Sequence, residues 1–193
     1  MKLSIQLSVS AIFSLISVLG FAQKKTQSFT VERTINAPAE AVWKVVGENY
    51  GDVADSHPGL VASEYVGDQH QGGEGCVRIC YLNEEKTKYT QEKQLNFDTT
   101  NYTFTVQISH VEKIPLDADN STAVYKVVPV DAKSSKIIIE MNLRTNPAFM
   151  GALAKGKFRK NIEDYAIAIQ HNVLTGEKVN QENFKEIKAK YEG

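Results

Sequence analysis

Alternating apolar and polar residues predict seven strands along the chain. A period of two is typical of a strand that buries one face. The predicted strands are Phe29–Asn36, Leu60–Val66, Cys76–Leu82, Lys88–Phe97, Tyr102–Ser109, Ser121–Val130 and Ser135–Leu143. The last six follow one another through short polar links, which favours antiparallel pairing.

The pattern changes to a helical period near residue 147. Over Pro147–Thr175, apolar residues recur at three- and four-residue spacing. Asn146 and Pro147 suit the N-cap and first position of a helix, and Gly176 suits its end. At about 1.5 Å per residue this helix would span ~40 Å, enough to cross a sheet. A shorter helical stripe is predicted over Ala39–Val46.

These elements predict one domain of the α+β class over residues 23–176. A seven-stranded curved antiparallel sheet has one face to cover, and the C-terminal helix is the only large element left to cover it. A cavity is expected between the sheet and this helix. Residues 177–193 form a charged tail, in which Asn180–Tyr191 could make a short helix; its charge favours a solvated appendage.

Residues 1–22 have the pattern of a secretory signal peptide. An N-terminal lysine precedes the uncharged run Leu7–Phe21, and Gly20 and Ala22 are small residues at the −3 and −1 positions of a cleavage site before Gln23. The alternative is a membrane anchor, but the run has about 15 residues, and a spanning helix needs roughly 20. We expect export to the periplasm or the extracellular space, without stable membrane insertion after cleavage.

Charge and composition argue against several classes of function. Lys and Arg number 22 against 23 Asp and Glu, and a formal net charge of -1 does not suit a nucleic-acid binder that relies on bulk positive charge. Two cysteines, Cys76 and Cys80, are too few for a disulfide scaffold or a four-cysteine zinc site. The histidines lack metal-ligand spacing, and no nucleophile elbow or Walker-type loop occurs. We predict no metal, no cofactor and no catalytic residue.

Several short motifs and one glutamate carry a family resemblance. The first strand runs into APAEAVW at 37–43, His57–Gly59 reads HPG, and Gly73–Arg78 reads GEGCVR, with Glu92 on the next strand. Together with the element order, they resemble the START-related lipid-transfer superfamily, also called SRPBCC or Bet v 1-like, and its polyketide cyclase-like branch. The resemblance covers about Phe29 to Gly176. It implies a helix-grip fold with a deep cavity for an apolar or amphipathic small molecule, and it does not imply one activity.

The resemblance also implies an inward-facing arginine. Strand alternation puts Arg78 and Cys80 on one face, and in the hormone-receptor relatives this face lines the cavity. Glu92 and Glu140, on the next and the last strand, are the two candidate partners of Arg78, because a buried charge must be paired. The pair either serves only the fold or lets Arg78 hold a ligand carboxylate, phenolate or carbonyl.

Four further residues complete the predicted ligand-binding site. Tyr125 lies in mid-strand near the cavity mouth and either donates to a ligand or is a packed tyrosine. His57, in the entrance loop, is either an acid–base group or an ordinary loop residue. Phe158 and Ile162 are predicted to form part of the cavity wall on the long helix. Trp43 is predicted in the core, against the sheet.

Two functions follow, and both use the same cavity. The first is an exported, non-catalytic binding or carrier protein for a small hydrophobic or amphipathic molecule, such as a lipid or a polyketide-like compound. The second is a polyketide cyclase- or dehydratase-like enzyme that uses Arg78, Glu92, Tyr125 and His57. A protein-binding module on the exposed sheet face is a third possibility. The lack of a convincing catalytic constellation favours the first, and the sequence identifies no protein partner.

Overall fold

The structure is a computed structural model that describes residues 26–192. The predicted signal peptide and the expected N-terminus at Gln23 lie outside the described residues. The strands are β1 Gln27–Ile35, β2 Ala62–Tyr65, β3 Val77–Tyr81, β4 Tyr89–Asp98, β5 Thr103–Glu112, β6 Thr122–Asp131 and β7 Ser134–Leu143. The helices are α1 Ala39–Trp43, α2 Met150–Thr175 and α3 Phe184–Tyr191.

All seven strands join one antiparallel sheet in the order β1-β7-β6-β5-β4-β3-β2. The strands from β2 to β7 pair with their neighbours in the chain, as their short links predict. The first strand instead pairs with the last, since Val31 lies opposite Ile139. The predicted fold class is therefore confirmed: a seven-stranded curved antiparallel sheet grips a long C-terminal helix.

The connection from β1 to β2 contains a series of short helical turns between Ala39 and Ser56. The predicted stripe over Ala39–Val46 is helical, but it passes from α1 into a π-helical turn and then a 3₁₀ turn that ends at Ser56. Gly47 allows this packing, because a Cβ there would lie 2.9 Å from the Trp43 ring. The segment thereby closes one end of the space between sheet and helix.

Helix α2 begins three residues later than the sequence predicts. Asn146 is not its N-cap, because Phe149 is the residue directly before the helix. The Asn146 backbone N–H donates to the Pro115 carbonyl over 3.1 Å. The Thr145 hydroxyl donates to the Pro147 carbonyl over 2.8 Å. These bonds hold the chain in turns before the helix starts. Gly176 ends the helix with a φ of 74°, as predicted for that position.

The charged tail is packed against α2, so the expectation of a solvated appendage is wrong. Val179 and Ile187 are buried with Ala168 of α2 in a small apolar cluster. At its edge, the two ring nitrogens of His171 lie 3.1 Å from the Tyr191 hydroxyl and 3.0 Å from a Glu177 carboxylate oxygen. The tail thus covers the side of α2 that faces away from the sheet.

Across residues 26–192, no helix has the length and apolar character that crossing a membrane demands.

Candidate functional site

A cavity of about 470 Å³ lies between the sheet and α2. Aliphatic and aromatic side chains make up most of its wall, among them Val106, Ile108, Met141 and Leu143 of the sheet. Its polar side chains are on β3, β4, β6, α2, the loop after the 3₁₀ turn and the segment between α2 and α3. An apolar wall with a few polar groups is the usual composition of a small-molecule site.

Seven of the eight predicted site residues line this cavity. The seven are His57, Arg78, Cys80, Glu92, Tyr125, Phe158 and Ile162. The structure brings them together from five elements, and their contact with a ligand stays a prediction. Sequence reasoning missed Tyr165 and Thr90, which also line the cavity. Tyr165 is part of the helical apolar pattern, and Thr90 lies two positions before Glu92 on the same strand face. The periodicity of the sequence therefore pointed to both residues.

The placement of Glu140 in the cavity is wrong. Ile137 and Ile139 of β7 are fully buried, whereas Glu140 is exposed. Since neighbouring residues of a strand point to opposite faces, Glu140 lies on the outer face, and Met141 is the residue that lines the cavity. Glu140 therefore cannot be the partner of Arg78.

Arg78 is buried in the cavity wall and pairs with Glu92, as predicted. The two residues lie opposite each other in the β3–β4 register. Arg78 donates from Nε and Nη2 to the same carboxylate oxygen, Oε2, over 2.9 and 2.7 Å. Its Nη1 donates to the Tyr50 carbonyl over 2.9 Å, and the guanidinium carbon lies 3.9 Å from the centre of the Tyr50 ring. These bonds use three of the five guanidinium N–H groups. Contact of the other two with a ligand stays a prediction.

Glu92 is held as a carboxylate by its neighbours. Its second oxygen, Oε1, accepts a hydrogen bond of 2.9 Å from the Thr90 hydroxyl. Burial by itself would raise the pKa of Glu92, but the charge and hydrogen bonds of Arg78 outweigh it and lower this pKa. A carboxylate with a lowered pKa and three donors is a weak general base.

His57 is a neutral hydrogen-bond donor at pH 7. Burial, assisted by the positive charge of Arg78, lowers the pKa of His57 to about 4. The Gly59 backbone N–H donates to Nδ1 over 3.0 Å, so the ring proton is on Nε2. The ring is positioned by Tyr165, since their centroids lie 4.5 Å apart. His57 therefore presents an N–H group, and its basic nitrogen is already occupied.

Two tyrosines and one cysteine of the cavity stay protonated at pH 7. Burial raises the pKa of Tyr165 to about 12 and that of Tyr125 well above its usual range. Burial likewise raises the pKa of Cys80 to about 12, so its thiol is not an activated nucleophile. Tyr125 is held in place by stacking on Phe104, with centroids 4.8 Å apart. Arginine, histidine and tyrosine thus supply hydrogen-bond donors to one cavity.

The sequence of the chain matches a known protein family. The family described as "Polyketide cyclase / dehydrase and lipid transport" matches residues 26–168. The chain belongs to this family. The match covers the whole sheet and most of α2, which together enclose the cavity. The predicted SRPBCC, Bet v 1-like superfamily is thereby confirmed.

Solved structures show the same helix-grip fold as this family member. A truncated norcoclaurine synthase from Thalictrum flavum is 21% identical, with a TM-score of 0.60 over 78% of this chain and 95% of that one. A Thermobifida fusca protein is 17% identical, with a TM-score of 0.62 over 76% and 92%. The Zhui aromatase/cyclase of a Streptomyces species is 13% identical, with a TM-score of 0.58 over 86% and 96%. At these identities the similarity shows the fold alone.

One curated relative shares a short stretch of sequence with this polyketide cyclase family member. It is the yeast protein ECM32 of Saccharomyces cerevisiae, whose name assigns it to the ATP-dependent RNA helicases, and it is 29% identical over 84 residues. The chain spans only 8% of that relative's length. The function of this chain is therefore inferred from the family match and the fold, and not from this relative.

His57 should make this family member less stable in acid. Its ordinary pKa of 6.5 falls to about 4 in the fold. Between these two values the unfolded chain binds a proton that the folded chain does not, so stability decreases as the pH falls from 6.5 to 4. We expect His57→Gln to flatten this dependence, as measured by urea unfolding at pH 7 and pH 5.

The matched control for this measurement is His70→Gln. His70 is an exposed loop histidine, so this variant removes a histidine without changing the cavity, and the effect of His57→Gln should exceed its effect. An equal slope for His57→Gln and the unmodified chain would contradict the lowered pKa of His57.

Within the described residues, no group of three or more His, Cys, Asp or Glu side chains is arranged to hold a metal ion.

Proposed function

We propose that the chain is an exported protein that binds and carries a small hydrophobic or amphipathic molecule, of the lipid or polyketide-like class. The observation that carries this proposal is the cavity of about 470 Å³, which has an apolar wall and donor groups that converge within it. Transfer of an apolar molecule into such a cavity is favoured by about 25 cal/mol for each Å² of apolar surface removed from water.

The polar groups narrow the chemistry of the ligand. The Arg78 guanidinium, which uses three of its five N–H groups on Glu92 and Tyr50, and the Nε2–H of His57 are donors, and Glu92 already accepts three hydrogen bonds. A ligand with a carbonyl, carboxylate or phenolate oxygen would satisfy these donors, with its apolar body along the wall. We propose this amphipathic type of ligand over a pure hydrocarbon.

The protonation states favour a carrier over an enzyme. The basic nitrogen of His57 is occupied, the pKa of Glu92 is lowered and the pKa of Cys80 is raised. None of these three groups is ready to accept a proton or attack a carbonyl at pH 7. Binding requires no such step, because fixed donors are sufficient.

A cyclase- or dehydratase-like activity is the second candidate. It is favoured by the cluster of Arg78, His57 and Tyr165 in an apolar cavity, since such donors also stabilise a developing oxyanion. Two of the structural neighbours are named as a synthase and an aromatase/cyclase. In this role the donors would polarise a carbonyl of a bound polyketide-like substrate.

Export is supported by the pattern of residues 1–22. A charged start, an uncharged apolar run and small residues before Gln23 together are typical of a cleaved signal peptide. We propose that the carrier works in the periplasm or outside the cell. A mature protein that begins at Gln23 would support this location, and a form that retains residues 1–22 would contradict it.

Native mass spectrometry of the protein purified from its own host tests the proposal. We expect an N-terminus at Gln23 and one unmodified amphipathic molecule per chain. Ile162→Lys, in the cavity wall, should reduce the bound fraction at least about tenfold, because a buried ammonium costs several kcal/mol. Leu174→Lys, the same change at an exposed site of the same helix, should leave it unchanged.

The other outcomes of this experiment are also informative. A bound molecule that is converted during incubation would favour the enzyme. An empty cavity that takes up no apolar probe, or equal binding by the Ile162→Lys and Leu174→Lys variants, would contradict the carrier.

A further inference from the structure

The N-cap residue of α2 and the first turn of the helix expose two large apolar side chains. Phe149 is 73% exposed and Leu153 is 85% exposed. They are four positions apart and therefore lie on the same side of the helix. Single exposed apolar residues are common on protein surfaces, but an adjacent pair this prominent needs a reason.

Two lysines continue the same face of α2. At 100° per residue, Lys157 and Lys160 fall within about 50° of Leu153 around the helix axis. Phe158 and Ile162, which line the cavity, fall on the opposite side. One stretch of helix thus forms the cavity wall on its inner side and an apolar, basic surface on its outer side. We call Phe149, Leu153, Lys157 and Lys160 the outer face of α2.

The charge around the outer face is locally positive. The segment 149–160, FMGALAKGKFRK, has four basic and no acidic residues in a chain whose net charge is -1. The nearest acids along the helix are Glu163 and Asp164, at 3.8 Å from Arg159 and Lys160. Asp164 is shared with Lys188 of α3. The positive charge is therefore concentrated beside the exposed apolar pair.

We propose that the outer face of α2 docks on an anionic lipid bilayer. Phe149 and Leu153 would enter the boundary between headgroups and acyl chains, and Lys157 and Lys160 would meet anionic headgroups. An amphipathic helix binds a membrane surface through this combination of apolar area and basic charge. The remainder of α2 stays in the fold, so this is peripheral docking.

Two observations favour a bilayer over a second copy of the chain. A symmetric dimer through this face would bring like charges together, at a cost in binding free energy. The two apolar side chains are also 73% and 85% exposed, and side chains this exposed can enter a fluid layer without a complementary rigid surface.

Docking at this face would place the cavity wall next to the membrane. Phe158 and Ile162 are one to three turns beyond Leu153 on the same helix. The start of β1 lies at the same end, because a Cβ on Gly151 would be 3.1 Å from the Gln27 side chain. The proposed docking on a bilayer does not depend on the proposed carrier function. A role of this docking in ligand transfer does rest on the carrier function.

Vesicle sedimentation of the chain from Gln23 onward, which contains every described residue, tests this proposal. We expect binding to vesicles of phosphatidylcholine with phosphatidylglycerol, and weaker binding to phosphatidylcholine alone. The double variant F149S/L153S should lose at least about tenfold in partition. The double variant K157Q/K160Q should lose about fivefold per lysine and most of the salt dependence.

The matched control is V130S/K133Q. Val130 is 56% exposed, and Lys133 is exposed in the turn between β6 and β7. This turn is at the start of β7, whereas α2 follows the other end of that strand. This variant removes the same kinds of group and should bind like the unmodified chain. All these sites are exposed, so each variant should keep its fold, as checked by circular dichroism.

Three results would overturn the proposal. The first is no vesicle binding by the unmodified chain, and the second is an equal loss in V130S/K133Q. The third is a dimer in analytical ultracentrifugation that F149S/L153S dissociates, which would assign the face to a second copy. Failure of docking with normal ligand binding in native mass spectrometry would leave the carrier function intact, so the two proposals can fail separately.

Discussion

Replacement of Glu92 by methionine is expected to lower the free energy of unfolding by about 3–5 kcal/mol. The side chain of Arg78 is only 6% exposed and that of Glu92 15% exposed. Without Glu92 the guanidinium would stay buried and charged, because arginine does not lose its proton in proteins. Urea unfolding at pH 7 measures the loss.

The double variant Arg78→Met/Glu92→Met should be more stable than Glu92→Met alone. It removes the buried charge together with its partner and leaves only the Tyr50 carbonyl and the Thr90 hydroxyl without their bonds, at about 1–3 kcal/mol each. Glu32→Met is the control, since Glu32 and Lys136 form an exposed ion pair of 3.0 Å. It should cost less than about 1 kcal/mol. A double variant less stable than the single one would show that the unpaired charge of Arg78 is not what destabilises Glu92→Met.

The same double variant separates a structural pair from a binding site. If Arg78 holds the polar end of the ligand, the folded variant should lose affinity for a fatty acid and retain affinity for a hydrocarbon of equal length. If the pair serves only the fold, both affinities should be unchanged. The second result would remove Arg78 and Glu92 from the ligand site and leave the apolar cavity in place.

Trp43→Ala is expected to cost about 3–5 kcal/mol of unfolding free energy. Trp43 is 2% exposed, and its ring lies 5.1 to 5.7 Å, centre to centre, from the rings of Phe97, Tyr102 and Phe104. The alanine would leave a cavity where α1 meets the sheet, and the close approach at Gly47 would lose its packing partner. Denaturant unfolding again measures the effect.

Two controls distinguish core packing from general sensitivity to aromatic loss. Trp43→Phe should cost less than Trp43→Ala, because it keeps a ring and removes an indole N–H that has no hydrogen-bond partner among the described residues. Phe149→Ala, at a 73% exposed site, should change stability by less than about 0.5 kcal/mol. A loss below about 1 kcal/mol for Trp43→Ala would contradict its core position.

Two errors of the sequence interpretation arose from signals that were present. The buried Ile137 and Ile139 define the inner face of β7, and a period of two then places Glu140 outside. The tail contains Phe184, Ile187 and Tyr191 at helical spacing, and these residues pack on α2 although charges surround them. In both cases a charged residue received more weight than the periodicity around it.

Local periodicity and short connections, which act over a few residues, predicted the strands, the long helix and the antiparallel sheet. Strand alternation put Arg78 and Cys80 on one face, and the family resemblance implied that this face is the inner one. The contacts of Arg78 with the Tyr50 carbonyl, of Tyr165 with His57 and of α3 with α2 were visible only in the folded chain. Such contacts join residues tens of positions apart, and burial then sets the protonation states of the cavity. The pattern of a single strand or helix has no information on which distant surface will remove it from water.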